Sequence, residues 1–97
     1  MPYFDHSATT PIHPKVLKKM MDVAQQHFGN PSSVHASGRK SKAIIEEARR
    51  TIAAAIHASP SEIIFTGGGT EANNMVLWTL IQSEKKHIVT SSIEHPA

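Results

Sequence analysis

Three consecutive glycines, Gly67-Gly68-Gly69, stand between the apolar run Ile63-Ile64-Phe65 and a segment with helical apolar spacing, Met75, Val76, Leu77, Leu80 and Ile81. The β-branched and aromatic run predicts a short buried strand, and the glycines strip every Cβ from the turn after it. A helix then begins at once, so its first amides have no intrahelical acceptors and point outward. Bare backbone N–H groups with the positive end of a helix dipole behind them form a cradle for a phosphate-sized anion. Thr70, at the junction, adds a hydroxyl donor. Taken alone, the stretch is also compatible with a plain glycine turn between strand and helix, so the rest of the chain must decide.

At 97 residues the chain is one domain at most, close to the size at which core burial barely offsets chain entropy. With 39% apolar and 19% charged residues, neither disorder nor a collagen-like repeat is indicated. The absence of cysteine excludes disulfides, thiolate chemistry and cysteine-ligated zinc within these residues. No apolar stretch approaches the roughly 20 residues that span a bilayer, and the N-terminus has no basic segment followed by an apolar one. A cytoplasmic protein with no membrane partner is expected. The formal charge of +2 is mild. Its basic clusters, Lys15, Lys18 and Lys19, and Arg39, Lys40, Lys42, Arg49 and Arg50, fall on predicted helices with little aromatic interleaving. They read as solvated or interface faces, not as a nucleic-acid site.

Along the chain, Asp5-His6-Ser7-Ala8-Thr9-Thr10-Pro11 is small, polar and aperiodic, which predicts an ordered loop or extended arm whose backbone needs partners from elsewhere. Pro14 suits a first helical turn. Leu17, Met20, Met21, Ala24 and Phe28 then recur at helical spacing until Gly29 supplies a stop. The stretch from Gly29-Asn30-Pro31 to Gly38 is loop by composition. A second helix is expected from about Arg39 to Ile56, burying Ala43, Ile44, Ala48, Ile52 and Ala55 or Ile56. Ser59-Pro60-Ser61-Glu62 predicts a single turn before the strand at 63–65. The third helix should end near Ser83, with a turn at Glu84-Lys85-Lys86 and a second strand at Ile88-Val89-Thr90. The last residues, Ser91 to Ala97, read as a loop whose Pro96 suits the opening of a further helix.

Strand, helix and strand in that order make a crossover unit, which implies parallel strands in an α/β fold. Parallel sheets are normally covered on both faces and contain more than two strands. The apolar faces of three helices exceed what two short strands can cover, so the expectation is an N-terminal portion of a larger α/β protein with an incomplete sheet. Loops after parallel strands emerge on the same rim, where open α/β proteins bind ligands. That places His95 on the same edge as the glycine cradle. An imidazole there can stack on a flat ring or exchange a proton near neutral pH, and Pro96 biases it towards extended backbone.

Three phosphate-binding schemes compete for the cradle. A Walker A loop is excluded, since no Gly-Lys-Ser/Thr follows the glycines. A dinucleotide fingerprint is met in outline by Gly67, Gly69 and Ala72, with Glu94 after the next strand as the ribose-binding acid. Against it stand the long helical preamble and the polar pair Thr70-Glu71 inside the loop. The third scheme is a pyridoxal phosphate site.

Four ordered motifs favour the third. They are Tyr3 to Pro11; Gly29-Asn30-Pro31-Ser32-Ser33-Val34-His35 with Gly38-Arg39; Glu62 to Thr66 with Gly68-Gly69-Thr70-Glu71-Ala72-Asn73-Asn74; and Glu94-His95. Over nearly all 97 residues the chain resembles the N-terminal part of the cysteine desulfurases of the NifS and IscS type, class V aminotransferases of fold type I. The resemblance implies an arm at 1–13 and the start of the large cofactor-binding domain at 14–97. It implies pyridoxal 5'-phosphate as cofactor, its phosphate held by the Gly69 amide and by the Thr70 amide and hydroxyl. His95 would stack on the pyridine ring and relay protons. Asp5 to Thr10 would lead into the substrate site, and Asn30 to Gly38 would lie at a homodimer interface, with His35 near the neighbouring subunit's site. Gly67 is a departure, since many relatives carry serine there.

The same resemblance places the cofactor-holding lysine, the acid that pairs with the pyridine nitrogen and the sulfur-accepting cysteine farther along than Ala97. It also puts further strands between the two predicted here. The expected function is therefore that of an N-terminal segment, inactive alone, of an enzyme converting L-cysteine to L-alanine and an enzyme-bound persulfide for a sulfur-acceptor or scaffold protein in iron–sulfur or other sulfur delivery. A fragment of a dinucleotide-binding oxidoreductase and a non-catalytic dimerisation module are the alternatives. His6, His13, His27, His57 and His87 show no ligand-like spacing, so no metal is expected. Glu46, Glu47 and Glu62 read as surface carboxylates, and Trp78 and Met75 as packing residues.

Overall fold

The computed structural model describes residues 1–84 and 87–97, which form two compact units, Met1–Pro60 and Ser61–Ala97. In the first unit the arm closes on itself. The Asp5 carbonyl accepts the amides of Ala8 and Thr9 at 3.1 and 3.2 Å. The Tyr3 hydroxyl lies 2.6 Å from the Thr9 hydroxyl, and the Tyr3 and His6 rings meet edge to face at 4.9 Å. Two of its amides thus find a partner within the arm, where the sequence alone suggested that partners must come from outside.

Helix α1 spans Pro14–Gln26 and α2 spans Ala36–Ala55. Both are capped by histidine. His13 Nδ1 accepts from the Lys15 amide at 3.2 Å, and His35 Nδ1 accepts from the Gly38 amide at 3.3 Å, so each ring satisfies one of the orphan donors of a helix start. The His35 cap explains why α2 begins three residues before the expected Arg39. At its other end, His57 adopts φ 56°, the Ala58 amide bonds the Ala53 carbonyl at 2.9 Å and the His57 amide bonds the Ala54 carbonyl at 3.3 Å. That is a Schellman closure with histidine where glycine is usual.

The face that α2 buries differs from the expected one. Gly38, Ser41 and Ala53 are buried and Ile45, Glu46 and Arg49 half-buried; of the expected positions Ile44 is half-buried, while Ala43, Ala48, Ile52, Ala55 and Ile56 are exposed. The cause is the neighbour available to this face. The Asn30–Ser33 turn, held by the Asn30 side chain and carbonyl accepting from Ser32 and Ser33 at 2.9 and 3.0 Å, sits against Gly38. The Ser41 hydroxyl reaches the His27 carbonyl at the end of α1, at 3.0 Å. The expected apolar stripe instead borders an open groove, lined by Val16, Met20 and Val23 of α1 and Ile44 and Ala48 of α2.

In the second unit the expected single turn is a 3-10 turn at Pro60–Glu62, and α3 spans Gly69–Gln82. Among the described residues there is no β-strand, so the expected strands at 63–65 and 88–90, and with them the partial parallel sheet, are not formed. β-branched composition favours extended backbone, but a strand exists only when a neighbour completes its hydrogen-bond ladder. The expected turn at Glu84-Lys85-Lys86 falls in part outside the described residues. Ala53 is the buried apolar residue among those described, whereas Leu17, Met20, Met75, Trp78 and Ile81 are exposed. The apolar helix faces thus remain open.

Candidate functional site

The glycine loop is fixed from both sides by side chains that flank it. The Thr66 hydroxyl donates to the Gly68 carbonyl at 3.1 Å, and the Gly67 amide donates to a carboxylate oxygen of Glu71 at 2.6 Å. Gly68 is the N-cap of α3 and brings no side chain to the helix end. The first intrahelical acceptor-to-donor pair is the Gly68 carbonyl with the Ala72 amide at 3.1 Å. Helix geometry therefore leaves the Gly69, Thr70 and Glu71 amides without intrahelical acceptors.

A Cβ placed on Gly68 or Gly69 would meet no atom within 4 Å, so the space over these amides is open. Gly67 to Thr70 are all exposed. The loop already holds one oxyanion, the Glu71 carboxylate, through a backbone amide, which is the bonding a phosphate oxygen would require. Residues of this kind fit a phosphate: outward amides, a neighbouring hydroxyl at Thr70, and no side chain to obstruct approach.

His95 belongs to the same unit and is exposed. Its Nδ1 accepts from the Ala97 amide at 3.1 Å across Pro96. The arrangement repeats that of His13-Pro14-Lys15 at the start of α1. With Nδ1 engaged as an acceptor, the neutral ring carries its proton on Nε2, which points to that atom for any proton exchange.

The other residues singled out in the sequence divide by unit. Asp5 to Thr10 and Asn30 to Gly38 lie in the first, and Gly69, Thr70 and His95 in the second. His35 is engaged as a helix cap. Sequence reasoning missed the carboxylate of Glu71 on the loop, although an acid in the third helical position is a known signal for a side chain that reaches back.

The chain matches the family described as Aminotransferase class-V over residues 2–97, and it belongs to that family. Among curated relatives it is 48% identical over 98 residues to the cysteine desulfurase IscS of Dictyoglomus turgidum, covering 98% of this chain and 25% of that protein. It is 47% identical over 103 residues to the IscS-like cysteine desulfurase of Mycobacterium tuberculosis, covering 100% of this chain and 26% of that protein. A selenocysteine lyase of Homo sapiens is 38% identical over 113 residues, covering 96% and 25% respectively. The chain thus spans about a quarter of the length of these relatives. The family match takes in both the glycines and the long helical preamble that counts against the dinucleotide reading.

Proposed function

We propose that this chain is the N-terminal segment of a pyridoxal-phosphate-dependent cysteine desulfurase of fold type I, cytoplasmic and homodimeric, which takes L-cysteine to L-alanine and passes sulfur as an enzyme-bound persulfide to an acceptor protein. The observation that carries the reading is the open N-terminus of α3, where the Gly69 and Thr70 amides have no intrahelical acceptor and Gly68 offers no capping side chain. Names of relatives at 45–48% identity support the substrate. Among the described residues no helix is long and apolar enough to cross a membrane.

The chain's part in the reaction is binding and orientation. The two amides and the Thr70 hydroxyl would hold the phosphate, and the helix dipole would favour its charge. The cofactor, when bound, supplies an electron sink for the bonding electrons of the substrate. His95 would stack on the pyridine ring of the bound cofactor and exchange a proton at Nε2.

The test joins residues 1–97 to the remaining three quarters of the Mycobacterium tuberculosis relative and measures alanine formed from L-cysteine with added pyridoxal phosphate. Turnover by the chimera, with none by residues 1–97 alone, supports the proposal. A folded chimera that retains no cofactor, or pairing with a full-length relative without cofactor, contradicts it and favours a dimerisation module.

A further inference from the structure

We propose that Glu71 is a positioning residue for the cofactor phosphate, a clasp that closes the triple-glycine loop through the Gly67 amide. The inference rests on the reading above that this loop takes the phosphate of pyridoxal phosphate.

In a usual capping box an acid in the third helical position reaches back to the amide of a serine or threonine N-cap, which returns a bond of its own. Glu71 holds that third position, but the N-cap is Gly68 and can return nothing. The carboxylate instead reaches one residue farther, to the Gly67 amide, at 2.6 Å. A Cβ on Gly67 would lie 2.9 Å from that oxygen, so the close approach uses the absence of a side chain there.

The bond ties the residue two before Gly69 to the residue two after it. Glycine loses more conformational freedom on ordering than any other residue, and three in sequence would leave the cradle with many arrangements to give up on binding. The clasp from Glu71 and the Thr66 hydroxyl on the Gly68 carbonyl remove much of that freedom beforehand. They also give the amides separate roles, with Gly67 engaged by the carboxylate and Gly69 and Thr70 left open for the ligand. The arrangement carries an electrostatic penalty, because a carboxylate in the first turn opposes an incoming phosphate. What the clasp needs is an acceptor of this reach, not a charge.

Glu71→Gln, Glu71→Ala and Glu71→Asp separate these effects in the chimera. Glutamine keeps the reach and an acceptor oxygen, and should bind pyridoxal phosphate within about twofold of the parent or more tightly. Alanine and the shorter aspartate should each weaken binding about fivefold, the effect of one lost hydrogen bond on a partly exposed loop. In the chimera labelled with 15N-glycine, the Gly67 amide proton resonance should shift upfield in Glu71→Ala and keep most of its position in Glu71→Gln. Equal affinities for the alanine and glutamine variants, or a Gly67 resonance indifferent to both, would overturn the clasp. Thr70→Val and Gly69→Asp serve as controls on the underlying reading: if they too bind like the parent, the phosphate site itself is misplaced, whereas if they weaken and Glu71→Ala does not, the clasp alone fails.

Discussion

A Cβ on Gly38 would stand 2.4 Å from the carbonyl oxygen of Ser33, so the first turn of α2 and the loop before it meet backbone to backbone. The Asn30 carbonyl oxygen would be 2.6 Å away, and the Gly29 Cβ position is similarly blocked by Ser37 at 2.7 Å. The two glycines let the Gly29–His35 stretch fold onto α2. Neither backbone obstacle can swing aside as a side-chain tip would.

Gly38→Ala should therefore destabilise the first unit by about 2 kcal/mol, the overpacking cost outweighing alanine's better helix propensity. Gly69→Ala, with open space around it, is the comparison. Urea unfolding followed by far-ultraviolet circular dichroism should show a lower midpoint for the first substitution and no loss for the second.

Ser41 is 6% exposed, and its hydroxyl donates to the His27 carbonyl at 3.0 Å, with the Ser37 carbonyl also within reach at 3.3 Å. Ser41→Ala leaves the His27 carbonyl without this donor. The expected loss is about 1 kcal/mol, with hydrogen exchange near the C-terminal end of α1 accelerated more than at its start.

His57 carries the positive φ that closes α2. Left-handed backbone costs a side-chain-bearing residue about 1 kcal/mol, so His57→Gly should raise stability by up to that amount, less glycine's greater freedom in the unfolded chain. His57→Val should lower it. A thermal melt of the three proteins gives the order.

Gly69→Asp separates binding from stability. A carboxylate in the first helical position suits the helix dipole, so α3 should be as stable as before or more so. The same charge meets the phosphate, and affinity for pyridoxal phosphate in the chimera should fall at least about tenfold, a change of roughly 1.4 kcal/mol. Thr70→Val removes one hydroxyl and should cost about fivefold. Absorbance titration of the cofactor reads both.

Local chemistry that the sequence carries openly is recovered in the fold. Pro14 opens α1, and the triple glycine leads into a helix that ends at Gln82, next to the expected Ser83, whereas the expected stop at Gly29 lies three residues beyond the end of α1 at Gln26. α1 stops at Gln26, leaving Phe28 beyond it and 85% exposed. What escaped were features that depend on a neighbour. His13 and His35 act as caps although histidine is not a preferred capping residue, and only the path of the backbone turns Nδ1 towards the amide. The buried face of α2 follows the turn that packs on it, not its own apolar spacing. Ile63 to Phe65 and Ile88 to Thr90 have strand-like composition but form no strand among the described residues. At the candidate site the outward amides of Gly69 and Thr70 were legible because a helix that starts on glycine leaves its first amides without intrahelical acceptors. Glu71 carries the sign of an acid in the third helical position, but its reach past the Gly68 N-cap to the Gly67 amide is set by the path of the backbone.

The decisive measurement is the position of the phosphate in a structure of the chimera with pyridoxal phosphate bound. Phosphate oxygens should lie about 3 Å from the Gly69 and Thr70 amides, within ordinary hydrogen-bond range, with the His95 ring parallel to the pyridine. A phosphate bound elsewhere, or a nucleotide occupying the glycine loop in its place, would refute the assignment of this loop to the cofactor.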